Sequence, residues 1–249
     1  MIKIVLLGSG NVAQHLLQVM LKSADIELVQ VFARNKSSIS HLITKEQITS
    51  NYQDLKEADL YIISVSDNAI AEVSSNLPFE NRLVVHTSGT SELSVLDDKN
   101  RKGVFYPLQT FSKSKAVDFS TIPICLETEN ERDYKTLGTL ANLISKKAFA
   151  ISSEQRKSLH VAAVFVCNFV NHLYEIGNQI CDDNEVPFEI LQPLILETAN
   201  KITELSPKEA QTGPALRKDT KTIEKHIEFL KDSNYKEIYT LLTQSIQNV

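Results

Sequence analysis

Cysteine is scarce, with three in 249 residues, and Cys125, Cys167 and Cys181 each stand alone inside an apolar stretch. That distribution excludes a disulfide framework and a zinc site and suits the reduced thiols of a cytoplasmic protein. Positive charge is also in short supply. Twenty-six Lys and Arg against 31 Asp and Glu leave a net charge of −5, with no basic stripe to neutralise phosphates, so no nucleic-acid partner is expected. No long apolar run is present. The longest, 161–170, is interrupted by Asn168 and falls well short of the ~20 residues of a membrane span, so no membrane partner is expected. The first residues enter a strand at once, so no signal peptide is expected. Internal repeats, low-complexity linkers, paired-carboxylate motifs, metal-ligand spacings and a nucleophile–base–orienter set are all missing.

What is there begins at Lys3. Lys3 to Leu7 is a β-branched and leucine run without a breaker, as in a buried parallel strand. Gly8-Ser9-Gly10-Asn11-Val12-Ala13 then fits G-x-G-x-x-A, and His15 to Leu21 continues at helical spacing. In that arrangement Gly8 permits the tight turn, Gly10 lets a pyrophosphate approach the backbone, and Ala13 lets helix and strand pack closely. The free amides of the helix N-terminus face the anion. Gly8, Ser9, Gly10, Asn11 and Val12 are therefore candidate cofactor-binding residues. The second strand, Glu27 to Ala33, runs into Arg34-Asn35-Lys36. NAD-binding chains place a carboxylate there for the ribose hydroxyls, whereas Arg holds the 2′-phosphate of NADP. Arg34, Asn35 and Lys36 without a carboxylate favour NADP over NAD.

Further strands are expected at 60–65, 82–86, 103–106, 122–126 and 147–151, with a helix starting at Ala69 and another over 134–144. This alternation predicts an α/β domain over 1–151 with a doubly wound parallel sheet. Ligands in such sheets sit outside the carboxyl ends of the strands. That places Ser66, His86, Thr87 and Ser88 beside the cofactor, and Tyr106 and Gln109 beside a substrate. Asp67 reads as an N-cap. His86 reads equally well as a half-buried turn residue.

From residue 152 to 249 only helices are expected. Ser152 or Ser153 caps a long helix to about Asp182, apolar nearly all round over 161–170, as at a bundle centre or a subunit interface. Pro187 and Pro207 open two more, and Asp219 or Thr220 caps a fourth. On the long helix, Lys157, His160 and Asn168 form a polar stripe in an apolar setting. They are either interhelical hydrogen-bonding groups or the groups that face the cofactor, with His160 as proton donor and Asn168 orienting a carbonyl or imine. An imidazole titrates near neutrality, which suits that task. Arg217, after Gly213-Pro214, is either a clamp for a substrate carboxylate or a surface residue of a capping turn.

Gly8 to Ala13, His86-Thr87-Ser88-Gly89, Pro107-Leu108-Gln109-Thr110-Phe111 and Thr212-Gly213-Pro214-Ala215-Leu216-Arg217-Lys218-Asp219 together resemble one family. It consists of NADP oxidoreductases with a Rossmann-like N-terminal domain and a helical C-terminal domain of unknown function, related to pyrroline-5-carboxylate reductase and 6-phosphogluconate dehydrogenase. The resemblance covers the whole chain and implies dimerisation through the helices. Two positions depart from related patterns: Tyr106 stands where His often precedes the proline, and Val164, four residues before Asn168, stands where the hydroxyacid dehydrogenases carry Lys. The expectation is a homodimeric, cytoplasmic NADP-dependent oxidoreductase acting on a small molecule, with carbonyl/alcohol preferred over imine/amine. His160, Asn168 and His86 are its candidate catalytic residues. The alternative is an NADP-binding sensor without catalysis.

Overall fold

The computed structural model describes residues 1–248. An eight-stranded sheet is built from β1 (Ile2–Leu7), β2 (Ile26–Phe32), β3 (Ile48–Thr49), β4 (Leu60–Ile63), β5 (Leu83–His86), β6 (Arg101–Pro107), β7 (Ile124–Thr128) and β8 (Ala148–Ala150). Their spatial order is β3-β2-β1-β4-β5-β6-β7-β8. Strand β1 lies inside it and alternates cleanly. Ile4 and Leu6 join a core with Leu16, Leu17 and Met20 of α1 (Asn11–Met20) and Leu137 and Leu140 of α3 (Glu131–Ile144). Val5 and Leu7 point to the opposite face, where Ile70 and Val73 of α2 (Ile70–Ser75) cover them. Side chains alternate with period two, so a strand buried on both faces must be apolar throughout.

The sheet is parallel except at one pair. Strands β6 and β7 run antiparallel, with Tyr106 opposite Cys125. The connection over 108–123 holds only the 3₁₀ turn Phe119–Thr121, and without a helical crossover the chain returns in the opposite sense. The sheet is the expected doubly wound, Rossmann-like one, parallel at every pair but this. Two local expectations change. Asp67 is not an N-cap; it lies in a 3₁₀ turn after Ser66, and its carboxylate accepts from Thr90 Oγ1 at 2.5 Å. The helix expected at Pro187 starts later, as α6 (Gln192–Glu204), after a 3₁₀ turn over Phe188–Leu191.

The long helix is α4 (Ser153–Ala163), a π-helical turn over Val164–Phe169, and α5 (Val170–Asp182). Its thirty residues are long and apolar enough to cross a membrane by length and composition, a wider window than the 161–170 run alone suggested. The chain divides into two compact units, Met1–Cys167 and Asn168–Val249, whereas the sequence places its boundary at 151/152. The first turns of the long helix belong with the sheet. In the second unit α5 and α6 are followed by α7 (Pro207–Ala210), α8 (Thr220–Phe229) and α9 (Ser233–Gln247). Among its described residues, Ile176, Ala215 and Ile223 are the buried hydrophobics, while Ile190, Leu194, Leu196, Ile202, Phe229 and Leu241 are each more than half exposed.

Candidate active site

The carboxyl ends of β1, β2, β4, β5 and β6 open into one cleft of about 660 Å³ within the first unit. Its floor is the turn after β1. Gly8 has φ +140°, and a Cβ there would lie 1.9 Å from the carbonyl oxygen of Ser64, so no other residue fits. Gly10 is different: a Cβ on it would meet no protein atom within 4 Å, so its backbone faces open cleft. Gly10 also caps α1, where no side chain accepts from the first-turn amides and no acidic residue stands in the first turn. Unpaired amides beneath an open space are a cradle for an anion. Ser9, Asn11 and Val12 line the same floor, and Asn11 Nδ2 donates to the carbonyl of Phe111 at 3.1 Å. The residues present fit a dinucleotide pyrophosphate.

At the β2 end, Arg34 and Asn35 line the cleft, but Lys36 does not. The Asn35 carboxamide oxygen accepts from Ser37 N and Ser37 Oγ, at 3.1 and 2.6 Å, which starts a 3₁₀ turn and carries Lys36 away, exposed. Arg34 makes no ion pair among the described residues, so its guanidinium is available to a ligand.

Ser66, Thr87 and Ser88 line the middle of the cleft. Thr87 Oγ1 donates to Ser64 Oγ at 3.1 Å, joining the ends of β4 and β5. Ser88 Oγ accepts from Thr90 N and Ser91 N, so it is occupied in shaping the turn. His86 is 0% exposed and is not on the wall. Its Nδ1 accepts from Ser88 N at 3.2 Å, which leaves Nε2–H to donate to the Glu92 carbonyl at 3.3 Å. Burial, seconded by the nearby Arg156 guanidinium, pushes its pKa down to about 4. A neutral imidazole with both nitrogens engaged braces the 86–92 turn. The placement of His86 beside a reacting group is therefore corrected, because the end of β5 turns its ring inward.

The β6 end carries the reactive-looking groups. Tyr106, Gln109 and His160 all line the cleft, and the Tyr106 hydroxyl lies 3.1 Å from His160 Nδ1. Burial raises the Tyr106 phenol to about 12, so it holds its proton at neutral pH. Gly89 packs against this pair. A Cβ there would lie 2.5 Å from His160 Nδ1 and 2.7 Å from Tyr106 Cζ. The sequence displays this glycine in His-Thr-Ser-Gly-Thr, but nothing local to it signals the contact with residues 106 and 160.

What fixes His160 lies one helical turn upstream. Ser152 opens α4 with a capping box to Gln155. Arg156 is 1% exposed and pairs with Glu127 at the end of β7, while its Nη2 donates to the Ser91 carbonyl at 2.5 Å and to Ser153 Oγ at 3.1 Å. Glu127 also accepts from Ser153 N and Oγ at 2.9 and 2.8 Å. This set ties α4 to β7 and to the turn that contains Gly89. No sequence pattern announced it, because Ser91, Glu127 and Arg156 are distant in the chain. The other candidates lie elsewhere: Asn168 is exposed in the π-helical turn, and Arg217 is exposed before α8, both in the second unit. Lys157 is exposed on α4.

A mostly parallel sheet with a glycine cradle at its first turn defines a Rossmann-type dinucleotide-binding protein. The N-terminal part, residues 3–89, matches the family described as "NADP oxidoreductase coenzyme F420-dependent", and residues 122–246 match a domain of unknown function, DUF2520. A "putative NADP oxidoreductase" from Bacteroides fragilis is similar over 100% of this chain and 98% of its own, at 39% identity and a TM-score of 0.91. A protein from Thermotoga maritima is similar over 98% and 97%, at 21% identity and a TM-score of 0.75. A reductive aminase from Aspergillus terreus, in complex with NADPH and ethyl levulinate, shares the fold over 99% and 93%, at 14% identity and a TM-score of 0.72. No match was found among curated proteins. The chain belongs to the family of NADP oxidoreductases that join a Rossmann-like N-terminal domain to DUF2520.

Proposed function

We propose that the protein is a homodimeric, cytoplasmic reductase or dehydrogenase that uses NADP(H) in preference to NAD(H) and acts on a small carbonyl or imine. The observation that carries this reading is the Tyr106–His160 pair on the wall of a dinucleotide cleft. When bound, the nicotinamide supplies or accepts the hydride at carbon. A proton must reach the substrate oxygen or nitrogen in the same turnover, and His160 is the group placed to give it. The Tyr106 phenol, protonated at neutral pH, orients the ring and holds the substrate heteroatom. The reductive aminase captured with NADPH is in keeping with the cofactor.

The test is a screen of small carbonyls and imines for NADPH oxidation. With a substrate in hand, His160→Ala should depress turnover by roughly 10²-fold or more and leave NADPH affinity within about twofold. A lower melting temperature with unchanged turnover per folded molecule would reduce His160 to a structural residue. Failure of every substrate while NADPH binds would instead favour a sensor.

Cofactor choice rests on Arg34, which lines the cleft at the end of β2 without a carboxylate partner. A charge-assisted contact to phosphate is worth roughly 1.5–3 kcal/mol, about ten- to a hundredfold in affinity. NADPH should bind more tightly than NADH by that factor, and Arg34→Asp should abolish the difference. Equal affinities in the wild type, measured by calorimetry, would refute it.

A further inference from the structure

The cleft has a lobe remote from the Tyr106–His160 pair. Strands β2 and β6 are separated by β1, β4 and β5, roughly 19 Å apart at ~4.8 Å per strand. At the β2 end Tyr52 stacks on Phe32, ring centroids 4.3 Å apart and planes 20° from parallel. Phe32 and Tyr52 share one apolar cluster with Ile70 and Val73 of α2. Arg34, Tyr52, Ala69, Glu72 and Val73 therefore bound a single recess of the cleft. Its walls are apolar, and it carries one cation and one anion. Both charges are close to the Tyr52 hydroxyl, whose pKa rises through burial first and then through Glu72, with Arg34 opposing. The Glu72 carboxylate takes no hydrogen bond or ion pair from the protein among the described residues, so it is an acceptor without a donor.

A flat, apolar-faced ring with a hydrogen-bond donor on its edge complements such a recess, with a phosphate nearby for Arg34. Adenine offers that donor in its exocyclic N6 amino group. Hypoxanthine and guanine offer a carbonyl oxygen at the same place, which a carboxylate repels. We propose that Glu72 reads the base, its carboxylate accepting from the adenine amino group and setting the cleft against 6-oxopurine dinucleotides. This rests on the dinucleotide reading of the cleft. Sites built to hydrogen-bond one group discriminate strongly against the analogue that lacks it, because their polar atoms are then left unpaired.

The test is binding rather than turnover, so it needs no substrate. NADPH and its hypoxanthine analogue, reduced nicotinamide hypoxanthine dinucleotide phosphate, are titrated into the full chain by calorimetry. Wild type should bind the analogue about ten- to a hundredfold more weakly than NADPH. Glu72→Ala should weaken NADPH and relieve the repulsion felt by the analogue, so that the two dinucleotides bind alike. Glu72→Gln, whose amide can donate to the 6-oxo group, should narrow the gap by strengthening the analogue. Glu72 is exposed, so both variants are expected to keep the wild-type melting temperature. Equal affinity of the two dinucleotides for wild type, or a gap that persists in Glu72→Ala, overturns the role of Glu72 and leaves the cofactor cleft standing. Binding of neither dinucleotide overturns both.

Discussion

His86 shows how one histidine reports on the state of the fold while staying out of the chemistry. Its pKa of about 4 in the folded chain lies below the ~6.5 of an unfolded histidine. The unfolded state therefore takes up the proton first as pH falls. The stability His86 contributes is complete above about pH 6.5 and is lost as pH drops toward 4, by at most roughly 3 kcal/mol. His86→Gln keeps an acceptor for Ser88 N and a donor for the Glu92 carbonyl but has no proton to gain. Urea unfolding of the variant at pH 7 and pH 5 should show a smaller drop than wild type, and parallel drops would remove His86 as the source. The sequence puts His86 at a strand end and His160 on the long helix, and in the structure it is the helical ring that lines the cleft while the strand-end ring braces a turn.

The elements that hold the site are a strand, a turn and the start of a helix. Tyr106 comes from β6, Gly89 from the turn after β5, and His160 from α4, and the turn is threaded between the other two by the missing side chain at position 89. Gly89→Ala puts a methyl group 2.5 Å from His160 Nδ1, at the far end of a movable side chain. The variant should fold, by circular dichroism, and lose about tenfold or more in turnover, because displacements near 1 Å at reacting groups carry penalties up to about 10²-fold. Wild-type turnover in a folded Gly89→Ala would show that the pair does not need its present geometry. Elements of this kind are only partly legible in a sequence. Lys3 to Met20 announces strand, glycine turn and helix because all three signals are local. The direction of β7 is not legible, since a run such as Ile124 to Thr128 looks the same in either sense. Strand β3, two residues long, has no period to detect. The meeting of residues 89, 106 and 160 is a fact of topology, so His160 and Tyr106 could be nominated singly but not as a pair.

At the scale of the whole molecule the helical unit is short of a core. Ile190, Leu194, Leu196, Ile202 and Leu241, each more than half exposed, belong to helices that must bury apolar surface to be stable in water. A second copy of the chain is the occupant proposed here, through a symmetric helical interface. Light scattering at micromolar concentration should give a dimer mass, and the melting temperature should rise with concentration. A monomeric mass would refute it, as would recovery of the chain with lipid vesicles rather than in the aqueous phase, since the helix over 153–182 is long enough to span. The buried Arg156–Glu127 pair has a consequence for how such proteins diversify. It fixes α4, and with it His160, from β7 and the 86–92 turn, while Ser66, Gln109 and Phe111 line the cleft independently of it. On the proposed function, substitutions at those three positions can remodel what the cleft accepts while His160, the proposed proton donor, keeps its place, so substrate preference is free to drift among descendants of this chain without each change having to reinvent the chemistry.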